Sequence, residues 1–177
     1  LGLNGKFVIG HVGRFSYQKN QKFLIKIFEQ IHLKRQNAIL ILVGVGEKEK
    51  EIRKLVKAKN LNKYVLFLGK RNDVNELYQA MYVFVMPSFF EGIPVVGIEA
   101  QFADLPCVFS DKVPKEVKFN NNISFISLMA SAEKWASQIV GKEYVSRGIN
   151  KMEIKNSRYN IKTAFSILEN YYFHFQT

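Results

Sequence analysis

Apolar residues recur along this chain in two distinct patterns. KFVIGHVGRF, AILILVGVG, KYVLFLG, YVFVMP and LPCVFSD are short, nearly continuous apolar runs bounded by Gly, Pro or Asp. Such runs predict strands covered on both faces. The stretches between them carry helical spacing. In QKNQKFLIKIFEQIHLKR the positions Phe23, Ile27, Phe28 and Ile31 fall on one helix face. EKEKEIRKLVKAKN predicts a charged amphipathic helix. In NDVNELYQAM, Asp73 stands as an N-cap with Glu76 three places on, a close relative of the capping box. SFFEGIPVVGIEAQ leads into a further helix with Pro94 in its first turn. Val95, Val96, Ile98, Ala100, Phe102 and Ala103 make that helix apolar on most sides, so it is expected to be buried.

Strand and helix alternate from Phe7 to Asp111. This predicts an α/β fold, a doubly wound parallel sheet with helices on both faces. Right-handed connections gather the strand carboxyl ends on one edge, where ligands bind. Beyond Asp111 the signal weakens. A short strand in NNISFISL precedes two or three helices, the last expected from about Ile161 to Phe173. The sequence shows no internal repeat and no low-complexity segment.

Composition narrows the classes. At 177 residues with 47% hydrophobic content, the chain supports one good core. No run approaches the roughly 18 apolar residues of a membrane span, and LGLNGKFVIGH lacks the features of a signal peptide. The chain opens on Leu1, which suggests a piece of a longer protein. The single cysteine, Cys107, forms no intrachain disulfide; in LPCVF it reads as a core residue, and a reducing cytoplasm is the expected home. The net charge is +11. Its lysines in GEKEKEIRKLVKAKNLNK are interleaved with glutamates, which reads as a solvated helix face. Weak peripheral attraction to an anionic membrane is the alternative. No recognition helix, zinc finger or RNP motif is present, so nucleic acid is not an expected partner. His11 lies within a strand and is assigned a structural role; His32 and His174 carry no catalytic signal.

Four loops fall at the predicted carboxyl edge. In GRFSYQKN, Arg14 and Lys19 flank a turn, a suitable pair for a diphosphate; two surface cations are the alternative. In GVGE the glycines permit either close approach of a ligand or a tight turn, and the third glycine of a dinucleotide fingerprint is missing. In LGKRND, Arg71 either meets a planar base or faces solvent. In SFFEGIPVVGIEAQ, Glu91 precedes a helix N-terminus, which is an anion site, and Glu99 lies about a turn and a half inside. Carboxylates in such apolar surroundings need partners. Sugar and ribose hydroxyls would serve; dipole compensation for Glu91 and a salt bridge for Glu99 are the alternative.

Taken together, EGIPVVGIE after a strand ending in PS resembles the Glu-x7-Glu donor motif of family 4 glycosyltransferases of the GT-B fold. GRFSYQKN resembles the family's phosphate clamp, and VGVGE, FLGKRNDV, MPSFFEG, EAQFADLPCVFSD and YNIK follow in order. The similarity covers nearly the whole chain and leans toward the bacterial capsular and exopolysaccharide branch. It implies a Rossmann-like, nucleotide-sugar-binding domain over residues 1–177, with 160–177 a closing C-terminal helix whose Tyr171, Tyr172 and Phe173 are exposed. An acceptor domain is expected to precede it, so the isolated chain is expected to bind donor without turning it over. The implied activity is retaining transfer of a sugar from a nucleotide diphosphate, most often UDP-linked, to a growing polysaccharide or lipid-linked glycan. Neither metal nor other cofactor is implied. Arg14 and Lys19, beside Gly13, would hold the diphosphate. Glu91 would accept from a donor-sugar hydroxyl and Glu99 from the ribose. Ser88 would belong to the donor site, the backbone of Gly92, Ile93, Pro94 and Val95 would face the distal phosphate, and Lys70 and Arg71 the base.

The sequence departs from that pattern in places. Val45 replaces a frequent acidic residue between the glycines, and SDKVPKEV lacks the double glycine of other branches. Asp104 replaces a frequent glycine, but Asp tolerates the left-handed conformation, so the turn is expected to survive. A sugar-nucleotide epimerase, a non-catalytic nucleotide-binding module and a peripheral membrane-binding domain are the competing readings.

Overall fold

The computed structural model describes residues 1–141, 152, 155–157 and 159–161. Its parallel strands are β1 (Phe7–Val12), β2 (Ala38–Val43), β3 (Val65–Gly69), β4 (Val83–Met86), β5 (Cys107–Ser110) and β6 (Ile123–Ile126). They form one sheet in the order β3-β2-β1-β4-β5-β6. Between and after them lie α1 (Gln21–Lys34), α2 (Glu49–Ala58), α3 (Val74–Ala80), α4 (Val95–Phe102) and α5 (Ala132–Gly141). The runs read as strands are strands for the stated reason: every residue of β1, β2, β4 and β5 is buried.

Alternate residues of each strand feed two cores. Phe7, Ile9, Leu40 and Leu42 pack with apolar residues of α1, α2 and α5. Val8, Ile41, Phe84 and Met86 pack on the other face with α3 and α4. β1 pairs with β2 on one side and β4 on the other. The chain leaves β1 toward α1 and leaves β4 toward α4, which lie on opposite faces. The carboxyl ends of β1 and β4 therefore form the switch point of a doubly wound sheet, where a ligand crevice is expected.

Three local expectations change. α4 is not buried on most sides: Val95 is 63% exposed, and Glu99 is exposed. Its inward face is made of Gly97, Ala100 and Gln101, because the helix lies close to the sheet. A Cβ on Gly97 would stand 3.0 Å from the Phe109 ring. Gln101 is fully buried by satisfying its amide, which donates to the Gly97 and Val117 carbonyls and accepts from the Phe119 N–H. Pro94 occupies the N-cap rather than the first turn. Asp73 holds the N-cap position of α3 without a side-chain cap, since its carboxylate is taken by the forked guanidinium of Arg71 at 2.8 and 2.5 Å. Asp104 does adopt the left-handed conformation, φ 52°. The helix expected from about Ile161 to Phe173, with Tyr171, Tyr172, Phe173 and His174, lies outside the described residues apart from Ile161. No described helix is long and apolar enough to cross a membrane.

Candidate active site at the sheet switch point

The loop after β1 is fastened to the loop after β2 by backbone hydrogen bonds: Gly13 N–H to the Val43 carbonyl, Phe15 N–H to Val45, and Lys48 N–H to Phe15. This contact explains the Gly-x-Gly of GVGE. A Cβ on Gly44 would lie 2.1 Å from the Gly13 oxygen, and Gly44 has φ +133°, a region that favours glycine. The glycines serve loop-on-loop packing here. Arg14 emerges at the surface, where its Nε donates to Glu47 at 3.1 Å.

The chain then turns through Asn20, left-handed at φ 53°, whose amide donates to the Pro87 carbonyl at 3.0 Å. That tie brings the loop after β1 against the loop after β4. Lys19 reaches across, and its Nζ lies 2.7 Å from Glu91 Oε1, with the two side chains only 14% and 5% exposed. Gln18 donates to Glu91 Oε2 at 3.1 Å and to the Phe90 carbonyl at 3.0 Å. Both oxygens of Glu91 are thus satisfied within the protein. Gly13 leaves room for the Lys19 stem, since a Cβ there would meet Lys19 Cε at 3.2 Å.

Beneath this pair His11 Nδ1 donates to the Val85 carbonyl at 2.9 Å. Its Nε2 then accepts from Gln21, 3.3 Å away, which also donates to the Arg14 carbonyl. Burial, reinforced by the Lys19 charge and opposed by the Val85 hydrogen bond, pushes the imidazole down to about 4. His11 is a neutral strut, as its assignment to a structural role supposed.

Glu99 lies on the α3 side of the crevice. The buried Tyr78 hydroxyl is 3.1 Å from both Glu99 Oε2 and the Val96 carbonyl. Burial and the neighbouring Glu99 carboxylate raise the Tyr78 pKa far above its usual value, so it remains a donor. Val12, Val74, Tyr78, Val96, Glu99 and Phe102 border a cleft of about 660 Å³. Asn72 joins that cleft to a shallower recess lined by Lys70 and Arg71.

The expected site residues therefore form two groups. Gly13, Lys19 and Glu91 come together at the switch point, with Arg14 exposed on the loop after β1 and Ser88 and Gly92–Val95 on the segment that leads from β4 into α4. Glu99, Lys70 and Arg71 lie toward α3. Within the protein Glu91 is paired with Lys19 and Gln18, and Glu99 accepts from a tyrosine hydroxyl. Ser88 is fully buried, and its carbonyl accepts from Ser110 Oγ at 2.6 Å. Sequence reasoning passed over Gln18, Asn20, Glu47 and Tyr78. The polar run YQKNQ, too rich for a mere linker into α1, was the signal for the first two; nothing local marked Glu47 or Tyr78. Among the described residues no three His, Cys, Asp or Glu side chains cluster as metal ligands.

Strand order, layering and switch-point crevice are those of one Rossmann-like half of the GT-B fold. Staphylococcus aureus TarM, solved as a point mutant in complex with fondaparinux, alpha-GlcNAc-glycerol and UDP, superimposes with a TM-score of 0.80 over 97% of this chain and 36% of that one, at 23% identity. Anabaena Alr3699/HepE in complex with UDP gives a TM-score of 0.70 at 26% identity, over 79% of this chain and 40% of that one. The family described as glycosyl transferases group 1 matches residues 6–141, and this chain belongs to it. It is 38% identical to Bacillus subtilis EpsF, named as a glycosyltransferase, over 76% of this chain and 35% of that protein. It is 36% identical to the Escherichia coli UDP-Gal:alpha-D-GlcNAc-diphosphoundecaprenol alpha-1,3-galactosyltransferase, over 63% of this chain and 30% of that protein. The chain thus spans about a third of the length of these curated relatives.

Proposed function

We propose that this chain is the donor-binding domain of a retaining glycosyltransferase that moves a sugar from UDP onto a polysaccharide or lipid-linked glycan. The observation that carries the reading is the Lys19–Glu91 pair bridging the loops after β1 and β4, where a doubly wound sheet binds its ligand. The UDP in the HepE and TarM complexes, and the donor and acceptor named for the Escherichia coli relative, support the substrate classes.

In this reading the ammonium of Lys19 gives one N–H to Glu91 and offers its others to a phosphate oxygen. Arg14 leaves the solvent-exposed Glu47 and closes on the diphosphate. Together they stabilise the negative charge that grows on the departing nucleotide. Glu91, fixed by Lys19 and Gln18, keeps unused lone pairs for a hydroxyl of the donor sugar. The Gly92–Val95 segment borders the distal phosphate, with Ser88 beneath. Glu99 accepts from the ribose hydroxyls, and Lys70 and Arg71 flank the base. No metal enters this scheme, so a chelator would leave transfer by the full-length protein unchanged. The acceptor and the remaining catalytic groups belong to a second domain, and transfer takes place at the cytoplasmic face of a membrane.

Calorimetric titration of UDP, GDP and ADP into this chain tests the reading. UDP is expected to bind selectively, and Glu99→Gln or Arg14→Ala to weaken it roughly tenfold, as for loss of a charged hydrogen bond. Absence of UDP binding, or binding indifferent to both changes, would overturn it. Isomerisation of a UDP-sugar without acceptor by the full-length protein would replace it with an epimerase.

A further inference from the structure

We infer that Tyr78 is a positioning residue that fixes the Glu99 carboxylate for recognition of a ribose diol, and that it thereby sets the preference for ribonucleotide over 2′-deoxyribonucleotide diphosphates. The inference rests on the donor-site reading of Glu99.

Glu99 is exposed on the outward side of α4, where the Tyr78 hydroxyl donates to its Oε2 at 3.1 Å. A glutamate left to itself there would sample many rotamers, and ordering it on binding costs side-chain entropy. Tyr78 removes much of that freedom beforehand. Its own position is firm. The residue is 2% exposed and its ring stands edge-to-face on Phe84, 5.9 Å away at 81°, which anchors it to the middle strand β4. The hydroxyl shared between Glu99 and the Val96 carbonyl also ties the carboxylate to the first turn of its own helix. Oε2 is thus held by the hydroxyl, and Glu99 borders the cleft.

Apolar walls from Val12, Val74, Val96 and Phe102 suit a base and sugar ring, with Glu99 the carboxylate in that cleft. A carboxylate of fixed orientation accepts from two adjacent hydroxyls at once, and a 2′-deoxy sugar offers only one of them. A tyrosine serving the core alone would need no carboxylate, because the Val96 carbonyl already satisfies its hydroxyl. Removing the hydroxyl in that case would alter stability but not the ratio between two ligands.

The test is titration of UDP and 2′-deoxy-UDP into the wild-type chain, Tyr78→Phe and Glu99→Gln, with melting temperatures measured alongside. The wild type is expected to prefer UDP roughly tenfold, Tyr78→Phe to lose most of that preference, and Glu99→Gln to abolish it. Loss of the preference in Tyr78→Phe at a temperature where the variant remains folded supports the inference. An unchanged ratio in Tyr78→Phe, while Glu99→Gln abolishes it, would overturn the role of Tyr78 and leave the donor site standing. No preference in the wild type, or none sensitive to Glu99, would overturn both.

Discussion

Glu91 and Lys19 are 72 residues apart in sequence and 2.7 Å apart in the fold, almost closed off from solvent. Removing one member of a buried pair costs more than the pair contributes, because the survivor is left desolvated. Lys19→Met should therefore destabilise the domain by about 3 kcal/mol in urea unfolding, with Glu91→Gln milder because an amide still meets Lys19. Combining Lys19→Met with Glu91→Leu should recover part of the loss; a double variant as unstable as the sum of the Lys19→Met and Glu91→Leu singles would show that the pair is not coupled. His11 makes a separate prediction. Its folded value of about 4 lies below its ordinary 6.5, so between those values the unfolded chain binds the extra proton. Its contribution is complete above about pH 6.5 and is lost as pH falls toward 4, a change of roughly 3 kcal/mol. His11→Asn should flatten that slope in pH-dependent denaturation, and an unchanged slope would place the acid sensitivity elsewhere. At this scale the sequence marked the charged residues well. Arg14, Lys19, Glu91 and Glu99 stood out as charges beside apolar or turn segments. Their partners did not, because a pairing across 72 residues depends on which strands become neighbours, and nothing around Tyr78 separates it from an ordinary core aromatic.

Individual elements were legible in proportion to how plainly burial dictates composition. β1, β2, β4 and β5 are covered on both faces and read as unbroken apolar runs. α4 misled because it contacts the sheet through Gly97, Ala100 and Gln101, while its bulkier Val95 faces out. Hydrophobicity does not report a close approach made by small residues. The cap of α3 failed for another reason: Arg71 outcompetes the backbone for the Asp73 carboxylate. Glycine carries a firmer message in the loop after β2. Gly44→Ala would place a methyl 2.1 Å from the Gly13 carbonyl oxygen in a backbone region, φ +133°, that alanine rarely enters. A loss of at least about 2 kcal/mol follows from the strain and the clash. Because Gly13 underlies Lys19, nucleotide affinity should fall with stability. Thermal melting of the variant checks the first effect, and a melting temperature equal to the wild type would show that the two loops do not pack backbone to backbone.

Across the whole molecule, the alternation of elements foretold the parallel sheet, and the order β3-β2-β1-β4-β5-β6 explains why residues from distant loops share one crevice. That order is not written in any segment; it emerges from right-handed crossovers winding outward from β1. Ion pairing leaves the net charge of +11 unchanged, but it ties down Arg14, Lys19, Lys22, Lys34, Lys48, Arg53, Lys59 and Arg71, which all have carboxylate partners. The proposed ligand would draw two of these cations, Arg14 and Lys19, onto its phosphates and would bridge loops that leave the sheet toward opposite faces. Its binding energy then appears as stability of the entire domain. At 100 times its dissociation constant, UDP should add about 2.7 kcal/mol, a rise in melting temperature of roughly 5–10 °C for a domain of this size. Part of that rise is electrostatic between partly exposed charges, so roughly 0.5 M NaCl should reduce it. Contact with anionic vesicles through the remaining lysines should also weaken with salt, but without responding to UDP. Nucleotide-dependent stabilisation that survives salt fully would point to base and ribose contacts as the main source of affinity. Salt-sensitive vesicle binding with no UDP-induced stabilisation would favour a membrane-surface role over the donor site.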